Sequence, residues 1–187
     1  MARNPESILT FMSNDAAIPV DAPGEYAAGL LTRLAGRNPL EILGGTGNAA
    51  RSVFSDLSDA AMRRPEASGK WSMLEVMHHL ADGEMVLGVR IRMILAQDRP
   101  PITAYDQEAW AEKLRYRDAD LGAVQLQFQT LRDANLRVAR ELSPEDLGRA
   151  GIHTERGAES VGYILRLLAG HDLTHLAQLE RIRRTVS

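Results

Sequence analysis

Cysteine, long apolar runs and a large aromatic content are all missing from this chain. None of its 187 residues is cysteine, and only 5% are aromatic. Without cysteine the protein has no disulfide, no thiolate nucleophile and no thiolate metal ligand, so any metal ion must be held by His, Asp or Glu. No segment approaches the roughly 18 consecutive apolar residues of a membrane span, and the N-terminus lacks the apolar region of a secretory signal. We therefore expect a cytoplasmic protein without a membrane partner.

An excess of positive charge is missing as well. The chain has 22 Lys and Arg residues against 25 Asp and Glu residues, which gives a formal net charge of -3. Proteins that bind DNA or RNA usually carry a positive excess, because their cations replace the counterions of the phosphates. We therefore expect no nucleic-acid partner.

What the chain does contain is apolar residues at helical spacing over most of its length. Its 44% hydrophobic content and its length suit one domain with a sizeable core. We place an N-terminal arm at residues 1–23 and this domain at residues 24–187. The periodicity predicts helices over residues 24–37, 38–62, 72–95, 118–142 and 160–183.

Capping residues support two of these helix starts. Asn38 precedes Pro39, which is favoured at the first helical position, and Ser72 and Glu75 have the spacing of a capping box. No strand alternation and no internal repeat is visible, so we predict an all-α fold, a four-helix bundle of four long helices with short extra pieces. About 20 residues follow the helix over residues 72–95, which is long for a bundle loop and is typical of a functional segment or a crossover.

Two histidines lie four residues apart on the last predicted helix. His171 and His175 therefore point to the same side, one turn apart. Leu168 and Leu179 lie on that side as well, so both rings face the predicted core. Because burying two imidazoles without polar partners is costly, two alternatives follow: a pair of hydrogen-bonded core histidines, or a pair of metal ligands.

A third ligand is available on the helix over residues 72–95. His79 lies about 100° from Leu80, the centre of the apolar face, whereas His78 lies about 160° away. The periodicity therefore favours His79 for the flank of the core and turns His78 toward solvent. Three imidazoles from two helices would suit a borderline metal ion such as Zn²⁺ or Ni²⁺, and would leave coordination positions open as catalytic sites do.

Two segments resemble the motifs of the DinB-like (damage-inducible) superfamily of four-helix bundles. They are residues 69–84 (GKWSMLEVMHHLADGE) and residues 169–178 (AGHDLTHLAQ), and residues 105–110 (YDQEAW) are similar to a further family segment. The resemblance extends over about residues 25–184. It implies an up-down-down-up bundle with a long crossover between its second and third helices. It also implies a metal ion held by His79, His171 and His175, and a homodimer, since dimerisation is common in the family.

Two carboxylates are candidate catalytic groups. Glu75 and Asp82 lie about one turn before and after His79, where a carboxylate can act as a general base, a fourth ligand or a hydrogen-bond partner of a ligand. For Glu75 the simpler interpretation is that it only completes the capping box.

Three further residues are candidates for a substrate pocket. Arg90 shares the flank of His79 and could bind an anionic substrate, Trp110 could form a pocket wall, and Gln178 could hydrogen-bond a ligand. Each also has a structural interpretation: a surface ion pair for Arg90, packing of the long connection for Trp110, and a helix–helix hydrogen bond for Gln178.

The resemblance implies a metal-dependent enzyme that acts on a small molecule. Our leading hypothesis is a transferase that uses a low-molecular-weight thiol as cosubstrate, because the bound metal ion would lower the pKa of the thiol. The first alternative is a metal-dependent hydrolase with Asp82 or Glu75 as its base. The second is a non-catalytic, stress-related dimer in which the metal ion only stabilises the fold.

Overall fold

The computed structural model of the protein describes residues 21–186. The arm predicted for residues 1–23 lies outside the described residues except for its last three positions. The α-helices of the described part are α1 (Glu25–Leu34), α2 (Pro39–Phe54), α3 (Asp59–Met62), α4 (Met73–Ala96), α5 (Gln107–Lys113), α6 (Leu121–Arg140), α7 (Pro144–Gly148) and α8 (Val161–Val186). The strands are β1 (Pro101–Ile102), β2 (Ala150–His153) and β3 (Gly157–Ser160), and a 3-10 turn covers Tyr116–Asp118.

The four long helices α2, α4, α6 and α8 form a bundle whose directions follow from their contacts. The contacting pairs are Thr46–Asp172 and Val53–Arg183 between α2 and α8, Asp82–Gln127 and Glu84–Arg132 between α4 and α6, and Leu43–Arg132 and Gly47–Gln129 between α2 and α6. The residue numbers of the contacting pairs increase together between α2 and α8 and between α4 and α6, so each of these two pairs of helices is parallel. Between α2 and α6 the residue numbers change in opposite directions, so these two helices are antiparallel. The up-down-down-up order and the long crossover between α4 and α6 are therefore confirmed.

A small three-stranded sheet, which we did not predict, lies beside this bundle. Strand β1 pairs with β2 in parallel, and β2 pairs with β3 in an antiparallel hairpin. The expectation of no strands was wrong here because strands of two to four residues are too short for alternation to be visible. The sheet joins the start of the crossover to the connection before α8, and it places His153 on a strand.

Three predicted helices are shorter than the periodicity indicated, and the one predicted over residues 24–37 ends at Leu34, because Ala35 adopts a left-handed conformation. The helix predicted over residues 38–62 ends at Phe54, and α3 begins separately because Ser58 accepts a hydrogen bond from the backbone of Ala61. The helix predicted over residues 118–142 begins only after Asp120, whose side chain caps it. The capping box of Ser72 and Glu75 is present as predicted. Local capping therefore overrides the longer apolar pattern at these ends.

A buried ion network connects all four long helices. Arg132 on α6 pairs with Glu84 on α4 and with Asp172 on α8, both at 2.8 Å. Thr46 on α2 donates to Asp172 at 2.7 Å, and Asn135 donates to the Glu84 carboxylate at 3.0 Å. Burial alone would raise the pKa of Asp172, but Arg132, with help from neighbouring donors, keeps that pKa below its usual value. The network therefore stays charged in the core and fixes the helices relative to one another.

None of the helices in the described part of the chain combines the length and the hydrophobicity that a membrane span needs.

Replacing Arg132 by Met should destabilise the protein by about 3–5 kcal/mol, because two buried carboxylates would lose their counter-charge. Urea unfolding measures this loss. Arg137→Gln is the matched control, since Arg137 is exposed on the same helix and should change stability by less than about 0.5 kcal/mol. A loss below about 1 kcal/mol in Arg132→Met would contradict the role of the network.

Gly170→Ala should separate α1 from α8, because a Cβ atom at Gly170 would lie 2.2 Å from the backbone oxygen of Leu30. We expect a loss of about 1–3 kcal/mol, the usual cost of overpacking. Gly45→Ala is the control, since no atom lies within 4 Å of the added Cβ at this α2 position and a helical alanine is preferred. Thermal unfolding of both variants tests the contact, and equal melting temperatures would refute it.

Candidate metal centre

Three imidazole rings converge between α4 and α8. His171 and His175 lie one turn apart in the middle of α8, and His79 approaches them from the first half of α4. The Nε2 atom of His171 lies 3.0 Å from Nε2 of His79 and 3.1 Å from Nε2 of His175. His79 is 1% exposed and the other two rings are half-buried. Each of the three residues offers one candidate ligand atom, and these three atoms all lie within 4.8 Å of one another.

The Nε2 atoms of these rings face one another at short distances, and the tautomer of His175 is fixed by a hydrogen bond. Gln178 Oε1 lies 2.8 Å from Nδ1 of His175 and can only accept, so Nδ1 carries the proton and Nε2 has a free lone pair. A single proton on Nε2 of His171 satisfies only one of its two imidazole contacts. A cation among the three nitrogens accounts for all of them, because tetrahedral zinc ligands lie about 3.3 Å apart. The donor set therefore fits a borderline divalent metal ion.

The electrostatics of the cluster favour neutral rings. Burial lowers the pKa of His79 to about 2, and repulsion from His171 and His175 acts in the same direction. Burial and His171 also lower the pKa of His175 to about 4, although the Gln178 hydrogen bond opposes the change. Neutral imidazole is the form that binds a metal ion, so the two rings are in their ligand form at neutral pH.

Two neighbouring residues, Trp71 and Asp172, lie beside the rings of His79 and His171. Trp71, which precedes α4, packs against His79 with ring centroids 5.1 Å apart. Asp172 of the buried ion network follows His171 directly, and its Oδ1 lies 4.0 Å from Nδ1 of His171. Nδ1 of His171 and Nδ1 of His79 have no hydrogen-bond partner among residues 21–186.

A cavity of about 340 Å³ opens beside the rings. Its walls come from α1, α4, α8, the crossover and the β2–β3 hairpin, and neither α2 nor α6 contributes to it. Its apolar lining is formed by Ala27, Leu30, Val86, Leu87, Ile164, Leu167 and Leu168, and its polar lining includes His79, His171, Arg90, Tyr105, His153, Arg156 and Glu159. The histidine cluster is therefore accessible to a small molecule.

The residues predicted for the pocket have different positions. Arg90 lines the cavity and donates to the backbone oxygen of Thr103 at 2.7 Å, and it forms no ion pair with any carboxylate of residues 21–186. Trp110 does not line the cavity, but it packs against Tyr105, which does, with ring centroids 4.7 Å apart. Gln178 contacts the site through His175.

The two predicted carboxylates are engaged away from the cavity. Asp82 accepts hydrogen bonds from Tyr116 at 2.7 Å and from Gln127 at 3.2 Å. Glu75 accepts two hydrogen bonds from Ser72, both at 2.8 Å, as the capping-box interpretation expects. Neither residue is part of the cavity wall.

Two histidines differ from the expectation. His78 does not point into solvent, because its ring stacks on Tyr116 with centroids 4.0 Å apart. His153 is 2% exposed and lines the cavity from β2, a strand that we did not predict. Arg156 and Glu159 were missed altogether, and no sequence signal marks them because the unpredicted hairpin carries both.

Comparison with known proteins places this chain among related sequences. The profile of the DinB superfamily matches residues 43–179. The "Putative metal-dependent hydrolase OB0782" of Oceanobacillus iheyensis is 32% identical over 129 residues, which cover 69% of this chain and 74% of the relative. A "Putative metal-dependent hydrolase" of Bacillus cereus is 28% identical over 141 residues, which cover 75% of this chain and 80% of the relative.

A solved structure shares the fold. YfiT from Bacillus subtilis, described as "a probable metal-dependent hydrolase with an unusual four-helix bundle topology", superposes with a TM-score of 0.73. It is 24% identical, and the match covers 78% of this chain and 84% of that chain. With the family profile matched over most of its bundle, the chain belongs to the DinB superfamily.

Proposed function

We propose that this protein is a metal-dependent hydrolase that binds one divalent transition-metal ion on His79, His171 and His175. The observation that carries the proposal is the convergence of three Nε2 atoms at 3.0 and 3.1 Å beside an open cavity. The names of the related hydrolases support the reaction class. Three nitrogen ligands suit Zn²⁺ or Ni²⁺, and their arrangement leaves room for a small-molecule substrate.

The residues around the ion would have separate tasks. A bound divalent ion supplies Lewis-acid chemistry, which lowers the pKa of a coordinated water or thiol. Gln178 fixes the tautomer and the orientation of His175, a contact typical of metal-ligating histidines. Trp71 covers the ring of His79 and keeps it from rotating away from the cluster.

The geometry favours a positioning role for the predicted carboxylates. Both oxygens of Asp82 are hydrogen-bonded, which fixes Tyr116 against α4, and Glu75 holds the start of that helix. A direct role for either as a general base would require these bonds to break. We propose instead that their contribution to the reaction is to fix the helix that carries His79.

Thiol transfer is the second candidate function. The chain has no cysteine of its own, so a sulfur nucleophile would have to enter with a cosubstrate, and the cavity is open to one. The same three histidines would then hold a metal ion that lowers the pKa of this thiol. The homodimer and the cytoplasmic location stay predictions.

After incubation with ZnSO₄ or NiSO₄ and dialysis, the protein should retain about one equivalent of metal. His79→Ala and His171→Ala should lose it, because two imidazoles bind less tightly than three. His78→Ala is the matched control, since its ring stacks on Tyr116 outside the cluster and should leave the stoichiometry unchanged. Plasma mass spectrometry measures the metal content. Equal metal content in all four proteins would refute the proposed ligand set.

The zinc-loaded protein should hydrolyse carboxylic esters or amides without any added thiol, and His79→Ala should lower kcat/KM by at least roughly 100-fold. When the reaction is run in water labelled with ¹⁸O, the label should appear in the acid product. The competing outcome is product formation only when cysteine or glutathione is supplied, with the thiol found in the product, which would favour the transferase. Metal binding without either activity would favour the non-catalytic dimer.

A further inference from the structure

The cavity extends along α4 from the histidine cluster to a cationic end. The α4 residues that line it are His79, Gly83, Val86, Leu87 and Arg90. These positions recur on one face of the helix. Arg90 lies eleven positions after His79, which corresponds to a rise of about 16 Å along the helix axis. The wall between the two ends is mostly apolar. The cavity is therefore elongated, with the metal ligands at one end and a guanidinium at the other.

Arg90 is a half-buried cation without an ion pair in the described residues. One of its nitrogens donates to Thr103 O, and the guanidinium lies 6.0 Å from the ring of Tyr105. No carboxylate within residues 21–186 forms a salt bridge with it. Burial and the nearby Arg156 lower the pKa of Arg90, so an anion bound here would offset an unfavourable environment. The remaining N–H groups of the guanidinium are available for such a ligand.

The other charges at this end cancel or lie at its edge. Arg156 and Glu159 form a bidentate pair at 2.5 and 2.9 Å. Glu155 is exposed to solvent. The buried part of this wall therefore has one uncompensated positive charge, which belongs to Arg90.

His153 adds a neutral donor to the same wall. Its Nδ1 accepts a hydrogen bond from the backbone N–H of Glu155 at 3.2 Å, so the proton of the neutral ring lies on Nε2. Nε2 is buried and has no partner within the described part of the chain. Burial and the neighbouring Arg156 lower the pKa of His153, which keeps the ring neutral.

We propose that the cavity selects elongated substrates that carry a carboxylate, which Arg90 binds, at the end opposite the hydrolysed bond. The apolar residues between the two ends would contact an apolar middle section of the substrate. A carboxylate is favoured over a phosphate, because a single uncompensated guanidinium balances one negative charge. This substrate class rests on the proposed hydrolase, since the histidine cluster defines the reacting end.

Length-matched hydroxamates test the proposal, because the hydroxamate binds the metal ion and the other end reports on Arg90. Isothermal titration of the zinc-loaded protein compares suberic monohydroxamate with octanohydroxamic acid, and the adipic and sebacic homologues cover shorter and longer spans. The carboxylate-ended ligand should bind about tenfold more tightly than the methyl-ended ligand at the best length. Arg90→Gln should reduce this ratio to about one, and Arg137→Gln should preserve it.

A second readout needs no metal ion. Phenylglyoxal modification of Arg90, followed by peptide mass spectrometry on the metal-free protein, should be slowed by suberate and unaffected by octanamide. Equal hydroxamate affinities with no protection by suberate would overturn the carboxylate site while leaving the metal centre intact. Protection by suberate with no hydroxamate binding would support the carboxylate site and refute the metal centre.

Discussion

The charged network around Arg132 is the interaction on which both the bundle and the histidine cluster depend. It joins residues from α2, α4, α6 and α8 within the core, where an unbalanced charge would be costly. Because Asp172 is part of the network and lies between His171 and His175 in the same helical turn, the rotation of α8 about its axis is fixed there. That rotation determines where His171 and His175 point, so the core polar contacts also define the site.

The two ends of the cavity suit ligands of opposite charge. At one end, buried and neutral imidazoles present lone pairs that suit a divalent cation. At the other end, Arg90 presents a positive charge that suits an anion. An apolar section separates them. A small molecule bound along this cavity would be oriented by its two ends, which is how a site fixes a substrate without a large contact area.

Much of the fold could be predicted from the sequence because the helices are long and their apolar faces are regular. Asn38 and Ser72 also marked helix starts correctly, whereas the break after Phe54 depends on a cap at Ser58 that the apolar pattern hides. The small sheet could not be predicted, since β1 and β2 pair across more than 40 residues of sequence, and the β2–β3 hairpin strands are too short for an alternation to be visible. In the site, helical spacing brought His171 and His175 together and favoured His79. The role of His153 could not be predicted because the unseen hairpin places it.

X-ray absorption spectroscopy of the zinc-loaded or nickel-loaded protein tests the central claim most directly. A metal ion on His79, His171 and His175 should show three imidazole ligands with metal–nitrogen distances of about 2.0–2.1 Å, completed by light-atom ligands from solvent. In His79→Ala, measured with the metal ion added and without dialysis, the multiple-scattering signal of one imidazole should be missing. A spectrum with one imidazole or none, or one that is unchanged in this variant, would contradict the assignment of His79, His171 and His175 as the metal centre.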